Sequence, residues 1–381
     1  EISACLVGSE MCIRDSSCGS QGSEDKLMKT AKKIFKIIGI IAGVVVAVLI
    51  VYIIYLYASY HRIEDNLLLE VESHAQADVH LTTEKEYSAL TYNIGFGAYT
   101  PDFSFFMDGG KSSWAKSKDS VLETVQGAGE LVRSYDPDFA LIEEVDLNST
   151  RSYHVNEYDI LKDCFADYDT VFAQNYDSAF LFYPFTQPHG KSRSGLALFS
   201  RYPVTDSLRR SFPVSTSFSK FFDLDRCYSI SRIPVDNGKE LVIFELHMSA
   251  YGNSDEIREG QIRMLTEDMQ KEYEAGNYVL CGGDFNHDLK ADENDSAERE
   301  SWAYPFPRSE LPEHFSFGMD QLSEQEKQDL WDSARNADME YVPGETYTVT
   351  LDGFIISDNI ECVSYEDINT GYTYSDHDPV Y

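Results

Sequence analysis

The sequence predicts an α/β domain with a layered sheet core, preceded by a single membrane-spanning helix. Three observations carry that expectation. Short apolar runs ended by Gly, Asn, Asp or Pro alternate with amphipathic segments from about residue 85 onward. The uncharged run Ile37–Tyr57 is 21 residues long and follows Lys29, Lys32, Lys33 and Lys36. The 381 residues include 25 Tyr and 22 Phe, a strand-favouring composition with enough apolar material for one large core.

Residues 1–27 show neither helical nor strand periodicity and hold three of the seven Cys. They read as a non-native or disordered leader, apart from the fold. Residues 28–60 read as a basic cytoplasmic flank and a transmembrane anchor. At 1.5 Å per residue the uncharged run spans roughly 31 Å, the thickness of a hydrocarbon core. A secretory signal peptide is the runner-up, but its apolar region is usually about 7–15 residues and Ala58-Ser59-Tyr60 is a poor cleavage site. Tyr52, Tyr55, Tyr57 and Tyr60 crowd the far end as interfacial aromatics do. The lysines keep the N-terminus cytoplasmic, which places the chain beyond Tyr60 outside a cell membrane crossed once.

Residues 61–84 are polar and mixed, and predict a stalk with a helical turn around Asn66–Glu72. A catalytic-sized domain then fills 85–381. Its expected strands are Ser88–Asn93, Asp138–Ile142, Leu196–Phe199, Leu241–Leu246, Tyr278–Cys281 and Leu351–Ile356. Ser120–Tyr135 and Ser254–Glu274 read as amphipathic helices, the second with Ile257, Ile262, Met264, Leu265 and Met269 as its apolar set. The acidic, Pro- and aromatic-rich stretch 288–345 reads as an excursion over the surface rather than a second domain.

Charge narrows the function classes. The formal net charge is −34, and the residues before 61 hold 6 basic and 5 acidic groups, which leaves −35 on the remainder. Binding nucleic acid mainly through a basic surface needs clustered Lys and Arg, and the acidity argues against it. Cys164, Cys227, Cys281 and Cys362 are scattered with no CxxC pair, so no disulfide is indicated.

Chemistry-bearing residues recur where apolar strands end. TYNIGFG places Asn93 after the first strand, and ALIEEVD places Glu143 and Glu144 after the next. FELHMSAYGN places His247, CGGDFNHD places Asp284 and Asn286, TLDGFIIS carries Asp352, and YSDHDPV carries Asp376 and His377. Any one of these is common, since a carboxylate at a strand end is most often a helix cap or a solvated turn. Their order along one chain is not.

That ensemble resembles the endonuclease/exonuclease/phosphatase superfamily of Mg²⁺-dependent phosphoesterases, over about Ser88 to Tyr381. SGLALFSRYPV at 194–204 resembles the family's SRYPI-like strand and turn, and Arg258 with Gln261 echoes the helix that follows the His. The resemblance implies a four-layer α/β/β/α sandwich of two packed mixed sheets with its site at one rim. It also implies hydrolysis of a phosphoester, which needs phosphoryl charge neutralised, a water activated and a leaving oxygen stabilised. Mg²⁺, with Mn²⁺ as a substitute, would sit on Glu144, with Asn93 beside it and Asp376 as a further ligand or an orienter of the facing His. Asp284 would orient or deprotonate the water, and Asn286 would donate to the phosphate. His377 would act as general base or electrostatic stabiliser, His247 would donate to a phosphate oxygen or the leaving group, and Asp352 would support the water and the transition state.

This sequence also departs from the family pattern. The usual QE is Glu143–Glu144, whose first member would add negative field. SDHxPV carries Asp378 at x, a charge expected to raise the pKa of His377. Family domains continue the last strand past this motif, which predicts a C-terminus cut short at Tyr381. His247 and the lack of a WxGDxNYR-like motif favour nuclease-like or lipid-phosphodiesterase-like substrates, that is, nucleic acid or a phospholipid head group. HGKSR (189–193) offers His189, Lys191 and Arg193 as a phosphate clamp or a solvated loop, and DFSFFMDGG (102–110) and WAYPFP (302–307) offer aromatics toward a bilayer or a core. A catalytically dead membrane-tethered binding domain is the non-enzyme alternative, and the sequence points to no protein partner.

Overall fold

The computed structural model describes residues 20–381 except 77–78, 222–223, 250–254 and 293–301. The contacts divide the chain after Ser59. The first part is one helix, α1 (Ser20–Ser59), 40 residues long. From Asp25 it is long and apolar enough to cross a membrane. Residues 20–27, expected to be unstructured leader, form its first turns, and residues 1–19 lie outside the described set.

In the second part, Tyr60–Tyr381, two mixed sheets are built from short strands. The strands are β1 (Leu67–Leu68), β2 (Val71–Glu72), β3 (Ala89–Asn93), β4 (Phe139–Asp146), β5 (Asp169–Asp177), β6 (Arg193–Ser200), β7 (Asp206–Ser211), β8 (Cys227–Pro234), β9 (Glu240–His247), β10 (Tyr278–Asp284), β11 (Phe315–Phe317), β12 (Ala334–Arg335), β13 (Thr348–Val349) and β14 (Asp352–Ser357). One sheet runs β2-β5-β6-β4-β3 and the other β1-β7-β8-β9-β10-β14-β11, while β12 and β13 form a separate ribbon. The helices are α2 (Lys118–Ser134), α3 (Glu157–Cys164), α4 (Asp255–Glu274) and the short α5 (Glu324–Asp329).

Leu141, Val171 and Leu198 of one sheet meet Ile233, Ile243 and Phe354 of the other, so the sheets pack face to face. Helix α2 turns Val121, Val125, Ala128 and Val132 onto the outer face of the first sheet, with Ser117 capping its start by accepting from Ser120 N. Helix α4 lays Ile262, Leu265 and Met269 on the outer face of the second. Four layers result. Because both faces of the inner strands are covered, they read as near-continuous apolar runs rather than alternating ones.

The polar stretch 61–84 is not a free spacer, and no helical turn forms at Asn66–Glu72. Strands β1 and β2 there pair with β7 and β5 at the edges of the two sheets. Two-residue strands bury too little to leave a periodic trace in the sequence.

Candidate functional site

Period two places the site. Along β9, Val242, Phe244 and Leu246 face α4, so Leu241, Ile243, Glu245 and His247 face the opposite sheet. The same alternation turns Asp284 of β10, Asp352 of β14 and Asn93 of β3 inward at the strand ends. Register then lines them up. Asp284 pairs with both His247 and Asp352, and Asn93 pairs with Glu143 across the other sheet. Gly283 makes the turn into Asp284 possible: at φ +138°, an added Cβ would lie 2.0 Å from Leu246 O.

Asp284 is the centre of the cluster. Its Oδ2 accepts from Asn93 Nδ2 at 3.1 Å and lies 3.4 Å from His247 Nε2 and 3.9 Å from His377 Nε2. Its Oδ1 accepts from Asn286 N at 2.8 Å, while Asn286 Nδ2 donates to Met248 O at 3.0 Å. His377 is oriented from behind, with Nδ1 2.7 Å from Asp352 Oδ2, which also accepts from Ser333 Oγ at 2.7 Å. A donor Nδ1–H leaves Nε2 facing Asp284.

Glu144 reaches this cluster by a break in the strand. Regular alternation would send the residue after inward-facing Glu143 to the helix side. Instead β4 shifts register between Ile142 and Val145, and Glu144 adopts φ +58°. Its carboxylate keeps 22% side-chain exposure, and Oε1 stands 4.0 Å from His247 Nε2. Asp376, on the segment before His377, holds Oδ1 3.2 Å from Ser375 Oγ.

Burial and neighbouring charges set opposite proton affinities. Burial pushes the Asp284 carboxyl up to about 7, with His377 pulling the other way. For His377, burial disfavours the cation, but Asp352, Asp284 and Asp376 together raise it well above the ordinary imidazole value. Burial drives His247 well below that value, assisted by Arg226 and His377. Burial likewise raises Asp376 to about 6, with Glu144 and Asp108 among the charges that add to it.

The donor set fits a hard divalent cation. Glu144 and Asp108 each raise the proton affinity of Asp376, and oxygen ligands are what Mg²⁺ takes. Asp284, Asp352 and His377 also offer ligand atoms within 4.8 Å of one another. In that trio Asp352 Oδ2 and His377 Nδ1 already bond each other, and Asp352 Oδ1 is buried with no partner among the described residues.

The family model described as Endonuclease/Exonuclease/phosphatase family matches residues 90–358. The chain belongs to this family. Among solved structures, the family protein from Leptotrichia buccalis is 15% identical with TM-score 0.50, covering 77% of this chain and 98% of its own. The endonuclease/exonuclease/phosphatase from Beutenbergia cavernae is 14% identical with TM-score 0.50, covering 77% and 70%. TDP2 of D. rerio complexed with single-strand DNA product is 15% identical with TM-score 0.48, covering 77% and 96%. At these identities the likeness concerns the fold. No curated protein matches. Members of the endonuclease/exonuclease/phosphatase family are generally phosphoesterases and typically depend on a divalent metal.

Several residues sit where the motif reading did not put them. Glu143 points between the sheets, within electrostatic reach of Asp352 and Asp284. It is fully buried and accepts from Thr91 Oγ1 at 2.9 Å, and burial and Glu245 raise its carboxyl well above the ordinary range. Asp378 turns away from His377 to accept from Trp331 Nε1 at 2.8 Å and Thr370 N at 3.1 Å, fixing the preceding turn. His189 is buried beside Ser113 and Phe106, while Lys191 and Arg193 lie 3.2 Å and 4.0 Å from Asp177. Of the aromatic stretches, Phe103, Phe105 and Phe306 are core, with Met107 and Tyr304 exposed. Among the described residues, Cys164, Cys227, Cys281 and Cys362 are free.

Two residues escaped the motif reading. Ser333 donates to Asp352, and Arg226 is a buried cation whose charge acts on both His247 and Asp284. A lone Arg at a strand start carries no sequence signal; only the register Cys227 to His247 reveals its place.

Proposed function

We propose that this chain is a Mg²⁺-dependent phosphoester hydrolase with nuclease-like chemistry, attached to a membrane by its N-terminal helix with the catalytic domain outside. The observation that carries the reading is the row Asp352–Asp284–His247, with His377 and Asn93 aimed at the same carboxylate. Glu144, with Asn93 and Asp376, would hold the cation, which when bound neutralises charge on the phosphoryl oxygens. Asp284, with its proton affinity near neutrality, takes the proton of the attacking water. His377, kept cationic by Asp352, stabilises charge growing on the phosphoryl group through Nε2. Neutral His247 donates to the leaving oxygen, and Asn286 helps hold Asp284 in place.

A lipid phosphodiester is the second reading for the substrate. One observation favours it: Lys191 and Arg193, the densest basic cluster, are engaged by Asp177 rather than free for a polyanion. The test is the full chain in detergent micelles, assayed with Mg²⁺ against plasmid DNA, RNA, sphingomyelin and inositol phosphates in parallel. DNA nicking supports the nuclease reading and choline-phosphate release the lipid one. No turnover of any phosphoester, together with no stabilisation by Mg²⁺ or Mn²⁺, would leave only an inactive binding domain.

A further inference from the structure

A braced hairpin rises from the rim that carries the candidate site. Strand β5 ends at Asp177 with Arg193 of β6 opposite it, and Ser194 pairs with Asp146, two residues past Glu144. Between β5 and β6 the chain turns back through paired backbone bonds. Ser178 N donates to Ser192 O at 3.0 Å, Leu181 N to Gly190 O at 2.9 Å, and Gly190 N to Leu181 O at 3.0 Å. Trp114 Nε1 donates to Pro188 O at 2.7 Å, and Thr150 N to Lys191 O at 2.7 Å, which holds the hairpin against the body. Its base is buried at Ser178, Leu181 and Ser192, yet its tip turns rings outward: Tyr183 is 62% and Phe185 84% exposed, with the exposed Phe182 beside them. The Tyr183 ring lies 5.8 Å from that of Phe106, whose neighbour Met107 is 56% exposed. Asp108, next in the chain, is one of the charges that act on Asp376, so this patch lies on the side of the site. Large rings kept in water on a fixed support mark a binding surface.

What covers that surface follows from where the chain enters the domain. Tyr60, the residue after α1, packs its ring 5.2 Å from Phe221, with Phe218 a further 5.2 Å on. His61 Nε2 lies 3.5 Å from Asp177 Oδ2, at the base of the hairpin. Arg62 Nε donates to Asp225 at 2.8 Å and Ile63 N donates to the same carboxylate at 2.6 Å. Asp225 stands just ahead of β8, whose first residue, Cys227, pairs with His247. The chain therefore enters the domain at the catalytic rim and not at the opposite end of the sheets.

We propose that the hairpin tip, Phe182, Tyr183 and Phe185 together with Met107, docks into the surface of the bilayer that α1 crosses and turns the catalytic rim toward the lipid head groups. The proposal rests on the anchored reading above and, of the two substrates named there, favours the lipid phosphodiester. Aromatic rings settle at the head-group boundary, where the apolar body is buried and the Tyr hydroxyl stays wet. The charges suit a zwitterionic surface rather than an anionic one. The chain beyond residue 60 is strongly acidic, and the cations at this rim, Arg62, Lys191 and Arg193, face Asp225 and Asp177. Apolar burial rather than charge attraction therefore holds the tip.

The test is tryptophan fluorescence of the full chain reconstituted in phosphatidylcholine vesicles, with and without bromine on the acyl chains. After subtraction of the wild-type signal, Phe185→Trp should emit about twofold more weakly in the brominated vesicles, because the interface buries such a ring to acyl-chain depth. Val363→Trp, at an exposed position near the starts of β9 and β10, should show no such loss. The quenching should persist in molar salt, which screens charge and leaves apolar burial intact. His61→Ala combined with Arg62→Ala should reduce it while the chain still floats with the vesicles. None of these readouts needs turnover, so an inactive chain sinks the phosphoesterase reading and leaves the docking standing. A chain that does not float with the vesicles removes the anchor and this proposal together. Floated Phe185→Trp quenched no more than Val363→Trp, or quenched only at low salt, overturns the docking alone. Quenching unchanged by the His61 and Arg62 substitutions overturns the part given to the segment after the helix.

Discussion

Asp352→Asn isolates the link between fold and chemistry. Asp352 is fully buried, its Oδ2 2.7 Å from His377 Nδ1, and it is the strongest charge holding that imidazole cationic. A hydrogen bond to a charged group contributes about 1.5–3 kcal/mol. At about 1.4 kcal/mol per factor of ten, its loss should cut the proton affinity of His377 roughly ten- to a hundredfold. The amide can also hold the ring in the wrong tautomer, so turnover should fall about 10²–10⁴-fold. The assay is NMR titration of the His377 ring in metal-free protein, alongside kcat. Because the folded-state value lies above the unfolded one, its stabilising contribution is complete below the ordinary imidazole range. That contribution disappears as pH rises through the folded value, and Asp352→Asn should flatten this part of the stability–pH curve. A His377 titration that does not move in the variant refutes the reasoning.

Three other substitutions separate neighbouring roles. Glu144→Gln should raise the Mg²⁺ concentration for half-maximal activity about tenfold or more and shrink the thermal shift given by Mn²⁺, with the metal-free melting temperature little changed. Glu143→Gln should keep wild-type activity. It should also remove a loss of stability above the ordinary carboxyl range, because a buried acid with raised proton affinity destabilises the fold as pH climbs toward its folded value; urea melts at pH 5 and pH 8 check this. Asp378→Asn should leave the His377 titration in place while costing about 1–2 kcal/mol, since a neutral amide oxygen accepts more weakly than the carboxylate from Trp331 Nε1 and Thr370 N; chemical denaturation reads it.

The candidate site was legible because Asn93, Glu144, His247, Asp284 and Asp352 lie at or near the ends of apolar strands, whose pairing brings those ends to one edge, with Asp376 and His377 on the segment that follows. Asn93, Glu144, His247, Asp284, Asp352, Asp376 and His377 all came from that pattern. What the pattern could not show is direction. Whether Glu143 or Glu144 faces the cluster depends on the register shift in β4, and Asp378 differs from Asp376 only in the turn that carries it. Arg226 and Ser333 come near the site through tertiary pairing about 20 residues along the chain, which local spacing does not encode. Strands β1 and β2 were missed for a similar reason, since they are held by sheet edges formed more than 90 residues later. Asp177 on the neighbouring strand lies beside Lys191 and Arg193, a placement that spacing along the chain does not show.

The account stands or falls on whether these buried carboxylates and imidazoles act on a phosphoester at all. Initial rates of phosphodiester cleavage by full-length wild type, Asp284→Asn and His377→Ala, each with Mg²⁺ and with chelator, give the direct answer. The expected result is metal-dependent cleavage in the wild type alone, with both variants folded and at least a thousandfold slower. Cleavage at wild-type rates by either folded variant would contradict the account.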